Sequence, residues 1–502
     1  MTHTSPAATK VNNRAAGVLL HPTSLPGAYG IGDLGDELLA FLDWAKKAGL
    51  RIWQVLPLNA PGYGNSPYGC LSSYAGNPML ISPKRLLECG LLPSDAIDEI
   101  PNPGKIDFDG VAASKNDLLH RSFAHFNENA SDEQRSALAS FVRDNRWLSD
   151  WALYASLKHR HGGAPWTSWP AALVTRDPDA MAAAQKELAD EIRFHEYIQW
   201  LFFTQWASVR EAAHERGIQI MGDVPIYVAA DSADVWANRE IFQLDENGEP
   251  DVVAGVPPDY FSATGQRWGN PLYRWDLLRE TNYAWWVARF RASLQFADIV
   301  RVDHFRGFAA YWEIPASEPT AIHGRWLPGP GRELFDAIRK AVGGLPIVAE
   351  DLGHITPEVH ELRKAIGVPG MKILQFAFAQ PDSPHLPHHY EPETVVYTGT
   401  HDNDTARGWY EQASNEERTT AALYLGVHTP EELPWTLIRT AYTSVAETAI
   451  VPAQDILGLG NEARMNLPGE EKDNWSWRLV EGALTEELAE ELRKLALVSG
   501  RI

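Results

Sequence analysis

Three apolar runs of this chain end in an acid beside a His, Gly or Arg: ADIVRVDH (297–304), LPIVAED (345–351) and ETVVYTGTHD (393–402). A fourth, IQIMGDVPI (218–226), carries Asp223. Such runs read as buried parallel strands, so Asp223, Asp303, Glu350 and Asp402 emerge together where strands give way to loops. Like charges in a partly desolvated cleft raise one another's pKa, an arrangement suited to keeping one acid ionised and another protonated. Breaking a glycosidic bond needs that pair, a nucleophile or base and an acid for the leaving oxygen. Arg301, two residues before Asp303 and on the same side of a strand, is placed to hold that carboxylate ionised. Glu350 follows Ile347, Val348 and Ala349, surroundings that favour a raised pKa, and His401 offers a hydrogen bond to a sugar hydroxyl. Two other readings stand beside this one. Acids at strand ends cap helices or bind loop amides, and Asp303 with His304 and His401 with Asp402 supply metal-ligand types.

The elements that must carry these acids repeat along the chain. GVLLHP (17–22) reads as a strand, and DLGDELLAFLDWAKKAGL (33–50) as a helix with Leu34, Leu38, Phe41, Leu42 and Ala45 on one face and Gly49 as its stop. RIWQVLPL (51–58) completes a strand–helix–strand unit, which implies parallel pairing. Strands at 218–226, 297–304, 345–351, 371–378, 394–402 and 451–459 bring the total to eight, predicting a closed (β/α)8 barrel whose acids line the C-terminal rim. The long interval before the third strand reads as a mostly helical insertion at about 85–200. Ser131 and Gln134 form a capping-box pattern within it, and PNPGKI (101–106) and HGGAPWTSWP (161–170) are its joints. A second insertion at about 227–296 includes GVPPDYFSATGQRWGNPLY (255–273), which has little periodicity and reads as a structured loop over the rim. Tyr260, Phe261 and Trp268 there offer flat faces for pyranose rings, and Asp259, Gln266 and Asn270 offer hydrogen bonds. A helix closes the chain at 485–500, so 1–502 reads as a single barrel with insertions.

Composition limits the partners. Acidic residues outnumber basic ones 66 to 44, a formal net charge of -22, which repels a phosphate backbone and argues against nucleic acid. Two cysteines, Cys70 and Cys89, cannot make a disulfide framework, and the polar start lacks an apolar signal core, so a cytoplasmic protein is expected. Charged residues interrupt every long apolar segment, which argues against a membrane span.

Beyond the acids, long segments resemble the 4-alpha-glucanotransferases called amylomaltase or disproportionating enzyme, a branch of the alpha-amylase clan. The matching stretches include HPTSLPGAYGIGDLG (21–35), PGYGNSPYGCLSSYAGNP (61–78), GDVPIYVAADSADVW (222–236), GVPPDYFSATGQRWGNPLYRW (255–275), IVRVDHFRGF (299–308), IVAEDLG (347–353), GTHDNDTARGW (399–409) and GLGNEARMNLPG (458–469). The resemblance implies a TIM-type barrel and a retaining double displacement. In that scheme Asp303 is the nucleophile, Glu350 the acid and base, and Asp402 the acid that holds hydroxyls of the distorted sugar. It also implies that Arg301, His401 and Asp223 surround the sugar, and that Ser66, Tyr68, Asp259, Gln266, Trp268, Asn461 and Asn466 line the glucan groove. Transfer between soluble maltodextrins, rather than hydrolysis, rests on this resemblance. The alternatives are an alpha-glucan hydrolase of the same clan and a non-enzymatic carbohydrate-binding protein, which would be expected to have lost an acid. No cofactor or required metal is expected, and a monomer or weak homo-oligomer is.

Overall fold

The computed structural model describes residues 14–93, 100, 104–258, 262–470 and 472–502. Among them the strands are, in chain order, β1 (Ala15–Leu19), β2 (Ile52–Gln54), β3 (Gln219–Pro225), β4 (Val252–Val256), β5 (Gln266–Pro271), β6 (Ile299–Asp303), β7 (Ala310–Pro315), β8 (Arg325–Pro328), β9 (Ile347–Ala349), β10 (Gly370–Ile373), β11 (Thr394–Tyr397) and β12 (Thr448–Pro452). Eight pair in parallel in the order β10-β11-β12-β1-β2-β3-β6-β9. The end strands β9 and β10 meet where the Ala349 N–H donates to the Pro369 carbonyl (2.9 Å). There the Met371 N–H also donates to Asp351 Oδ1 (2.7 Å), so the sheet closes as a (β/α)8 barrel.

Both faces of such strands are covered, which is why they read as unbroken apolar runs: every residue of β1, β11 and β12 is buried. Packing is tight enough to dictate residue size. A Cβ on Gly17 would lie 2.9 Å from Ile52 Cβ and 3.2 Å from Ile450 Cγ1, so only glycine lets β1 approach its neighbours. The first helix, Asp36–Lys47, buries Leu38, Phe41, Leu42, Trp44 and Ala45, and carries acids in its first turn and lysines in its last, complementing its dipole. It stops before Gly49, whose φ of +74° only glycine adopts cheaply.

All eight expected strands are present, but several boundaries differ. The run at 394–402 leaves the sheet at Tyr397. The run at 371–378 turns into a 3-10 segment at Leu374, and the run at 451–459 is a strand only to Pro452 before the helix Ala453–Ile456. A uniformly buried run carries no periodicity to mark its end, and loop residues under the rim are as apolar as strand residues.

Between β2 and β3 lie the helices Phe108–Asn129, Asp132–Asp144, Trp147–Arg160, Pro178–Glu187 and Ala189–Glu215. The capping box at Ser131 is formed: Ser131 Oγ accepts the Gln134 N–H (3.2 Å) and Gln134 Oε1 accepts the Ser131 N–H (2.9 Å). The joint expected at 101–106 lies partly outside the described residues. Two amides of the long helix Ala189–Glu215 pin the loop that follows β2. Gln199 exchanges hydrogen bonds with the backbone of Gly76 (2.8 and 3.0 Å), and Gln205 does so with Ser82 (2.8 and 3.2 Å).

The region at 255–273 is partly strand. It supplies β4 and β5 of a four-stranded antiparallel sheet in the order β5-β4-β7-β8, completed by strands after β6. Strands this short, rich in Gly and Pro and partnered by residues far along the chain, leave little alternation to detect. Among the described residues no helix is long and apolar enough to cross a membrane.

Candidate active site

The register of β3, β6 and β9 builds the floor of the site. Asp223 lies opposite Arg301 and Pro225 opposite Asp303, so the side chains of Asp223, Arg301 and Asp303 share one face. Arg301 Nη1 donates to both oxygens of Asp223 (2.9 and 2.7 Å) and to Asp303 Oδ1 (2.9 Å). One buried cation thus sits between two carboxylates. Among the described residues only Oδ1 of Asp303 accepts from the protein, which leaves Oδ2 available for attack. Tyr68, on the loop after β2, donates its hydroxyl to Asp223 Oδ2 (2.9 Å). Burial pushes the Tyr68 phenol well above its ordinary range, which keeps it a donor. Burial likewise pushes the Asp223 carboxyl up, against the pull of Arg301.

Glu350 directly follows β9, and the pairing of Val302 with Ala349 sets it beside Asp303. Two backbone amides hold it: His304 N–H donates to Oε2 (2.7 Å) and Leu352 N–H to Oε1 (2.9 Å). His304 points its amide there by adopting the left-handed region at φ 50°, ψ 47°, a conformation costing a non-glycine residue on the order of 1 kcal/mol. Burial pushes the Glu350 carboxyl up to about 8; Arg301 opposes the rise and the nearby Asp303 carboxylate adds to it. The expectation of a raised pKa at this position has a physical basis in the fold. Burial also lowers His304 to about 4, keeping it neutral.

Asp402 stands on a turn rather than a strand. Its Oδ1 accepts from Asn466 Nδ2 (2.6 Å), and His401 Nε2 lies 3.3 Å from Oδ2. The rings of Tyr68 and His401 stack (centroids 5.1 Å, 15° apart), and Trp475 approaches both at 6.0 Å. Burial pulls the His401 imidazole down, against the attraction of Asp402. Asp223, Arg301, Asp303, Glu350, Tyr68, His401, Asp402 and Asn466 therefore form one connected constellation. The metal reading finds no ligand set there: among the described residues no group of three or more His, Cys, Asp or Glu is arranged to hold an ion.

Other expected residues sit further out. Ser66 Oγ accepts the Tyr68 N–H (3.3 Å), shaping the loop that presents Tyr68. Trp268, on β5, is 38% exposed, donates to Gln266 Oε1 (3.0 Å) and meets His304 edge-on (4.7 Å), which brings the small sheet against the catalytic floor. Among the described residues the Asn461 side chain bonds Asp404 (Oδ2, 2.6 Å) and none of the three rim acids. Asn270 donates to the Val228 carbonyl (2.8 Å), so part of its bonding capacity goes to the fold. Asp259, Tyr260 and Phe261 lie outside the described residues. Sequence reasoning missed Trp475, at φ +64° and 7% exposed, and Arg464, two residues before Asn466. Neither falls in a periodic segment; Arg464 lies within the GLGNEARMNLPG stretch (458–469) and Trp475 six residues beyond it.

An eight-stranded barrel whose rim joins a half-buried, proton-retaining glutamate to an arginine-held aspartate is the framework of an enzyme of glycoside chemistry. The chain belongs to the 4-alpha-glucanotransferase family, whose pattern it matches over residues 20–484. It is similar to the 4-alpha-glucanotransferase of Thermus thermophilus, with 51% identity over 97% of this chain and 99% of that one. It is also similar to that of Synechocystis sp., with 49% identity over 98% and 99%. Amylomaltase from Streptococcus agalactiae, solved in complex with acarbose, superimposes with a TM-score of 0.94 at 38% identity, over 97% of this chain and 99% of that chain. The chain is thus an enzyme of the 4-alpha-glucanotransferase type.

Proposed function

We propose that this enzyme moves alpha-1,4-glucan segments between maltodextrins by double displacement, with the three rim acids in separate roles. Glu350 gives its proton to the glycosidic oxygen while Asp303 Oδ2 attacks the anomeric carbon. The C–O bond to the leaving chain breaks, that chain departs with its 4-hydroxyl, and a glycosyl ester remains on Asp303. Glu350, now a carboxylate, takes the proton from the 4-hydroxyl of an incoming chain as that oxygen attacks the same carbon and displaces Asp303. Asp402, oriented by Asn466 and neighboured by His401, holds ring hydroxyls as the sugar distorts. Arg301, Asp223 and Tyr68 keep the nucleophile in place, and Ser66 and Asn461 belong to the same groove.

The observation that carries this reading is Glu350: half-buried at the rim, held by two amides, and retaining its proton to about pH 8 beside Asp303. A general acid must be protonated at working pH, and this environment supplies that. Trp268 on the small sheet supports transfer over hydrolysis, because an apolar face against His304, beside the acids, favours a sugar acceptor over water. The helices between β2 and β3 and the small sheet support one catalytic barrel over 1–502, with insertions at about 85–200 and 227–296.

Maltotriose tests the proposal. Purified enzyme should yield glucose plus chains longer than the substrate with no net gain in reducing ends, and Asp303→Asn should abolish this. Products no longer than maltotriose, or an active Asp303→Asn variant, would refute it.

A further inference from the structure

Asp402 is anchored differently from the other two acids. Asp303 ends β6 and Glu350 directly follows β9, so the barrel ladder fixes their backbones. Asp402 lies beyond the last residue of β11, Tyr397, on a turn with no ladder to hold it. Its N–H donates to Thr400 Oγ1 at 3.3 Å, a long and weak bond. Its carbonyl accepts from Arg464 Nη2 at 2.9 Å. The same guanidinium donates through Nε to the Asn466 carbonyl at 2.8 Å, and the Asn466 amide returns to Asp402 Oδ1 at 2.6 Å. Arg464, Asn466 and Asp402 therefore close a ring of three hydrogen bonds between segments 62 residues apart. Among the described residues Arg464 has no carboxylate partner within ion-pair distance, and its guanidinium bonds to these two carbonyls. It lines the cavity shared by His21, Thr400, His401 and Gln454, behind the acid.

We propose that Arg464 is a positioning residue for the transfer reaction, fixing where the Asp402 carboxylate meets the distorted sugar. The planar guanidinium holds Nε–H and Nη–H in a rigid fork, so it sets the separation of the two carbonyls and with it the geometry of the Asp402–Asn466 pair. A lysine ammonium carries charge without that fork. The inference rests on reading Asp402 as the acid that grips the sugar.

The test compares Arg464→Ala, Arg464→Lys, Asp402→Asn and the Asp402→Asn/Arg464→Ala double variant on maltotriose, with kcat and KM measured separately. Displacing a catalytic group by about 1 Å costs about 100-fold. Arg464→Ala should therefore lose about 10- to 100-fold in kcat while KM changes little, because the contact it orients tightens in the transition state. Arg464→Lys should fall between that variant and the parent. In the Asp402→Asn background, Arg464→Ala should add almost nothing, since the group it positions is gone. An undiminished kcat in Arg464→Ala, or a loss that multiplies fully with Asp402→Asn, overturns the proposal. If Arg464→Ala does not fold by circular dichroism, Arg464→Lys with and without Asp402→Asn gives the same comparison. A fully active Asp402→Asn would overturn the underlying reading of Asp402 as well; an inactive Asp402→Asn beside an active Arg464→Ala overturns the positioning proposal alone.

Discussion

The floor of the cleft and its wall are built by opposite means. On the floor, β3, β6 and β9 carry Asp223, Arg301, Asp303 and Glu350 in a fixed register, with Arg301 3% exposed and every charge answered by a partner. On the wall, β5 belongs to a separate small sheet and presents Gln266 and Trp268 to solvent. The floor's residues are coupled, so disturbing one leaves another buried and unpaired. Those two wall residues carry no charge and lie partly in solvent, so they can change without leaving a buried ion unpaired. In the proposed mechanism, rate is assigned to the floor and the choice of acceptor to the wall.

The largest expected effect is at Glu350. Glu350→Gln should lower kcat/KM by about 100- to 10,000-fold, the span of general acid–base catalysis. In the parent enzyme kcat/KM should fall as pH rises through about 8, where Glu350 loses its proton. Undiminished activity well above that pH would exclude it as the acid. The same shift affects stability with a definite sign. The folded state retains this proton up to about 8 whereas the unfolded chain releases it near 4.5, so the group costs increasing stability as pH climbs between those values. Thermal melts should show Glu350→Gln gaining on the parent from pH 5 to pH 8.

Next comes Arg301. Arg301→Gln leaves Asp223 buried without its cation and should cost about 3–5 kcal/mol in denaturant unfolding, in addition to activity. A loss below about 1 kcal/mol would mean that the floor is not organised by this cation. The smallest effect is expected on the wall: Trp268→Ala, at an exposed site, should change stability by less than about 0.5 kcal/mol. It should nevertheless raise the share of hydrolysis, read as new reducing ends per transfer. Equal shares in both enzymes would detach the wall from acceptor choice.

The floor was legible in the sequence because buried parallel strands are continuous apolar runs, and an acid ending such a run can sit only at the rim. Arg301 beside Asp303 follows from a spacing of two in a strand. The small sheet was not legible, since β4 pairs with β5 across a Gly- and Pro-rich segment and, on its other side, with β7, which follows β6. Asp402 was read as a strand end although the strand stops at Tyr397; its true anchors, Arg464 and Asn466, lie 62 and 64 residues further on. Contacts at that separation leave no periodic trace.

The barrel seam bears on how this site can be re-engineered. Asp351, next to Glu350, joins β9 to β10 through Met371, pairs with Arg363 at 3.2 Å, and fills the space that a Cβ on Gly370 would need. Replacing Asp351 to retune its neighbour would therefore also remove a hydrogen bond from the seam, leaving the Ala349–Pro369 bond to hold it. The surroundings of the acid and the closure of the cylinder share one side chain.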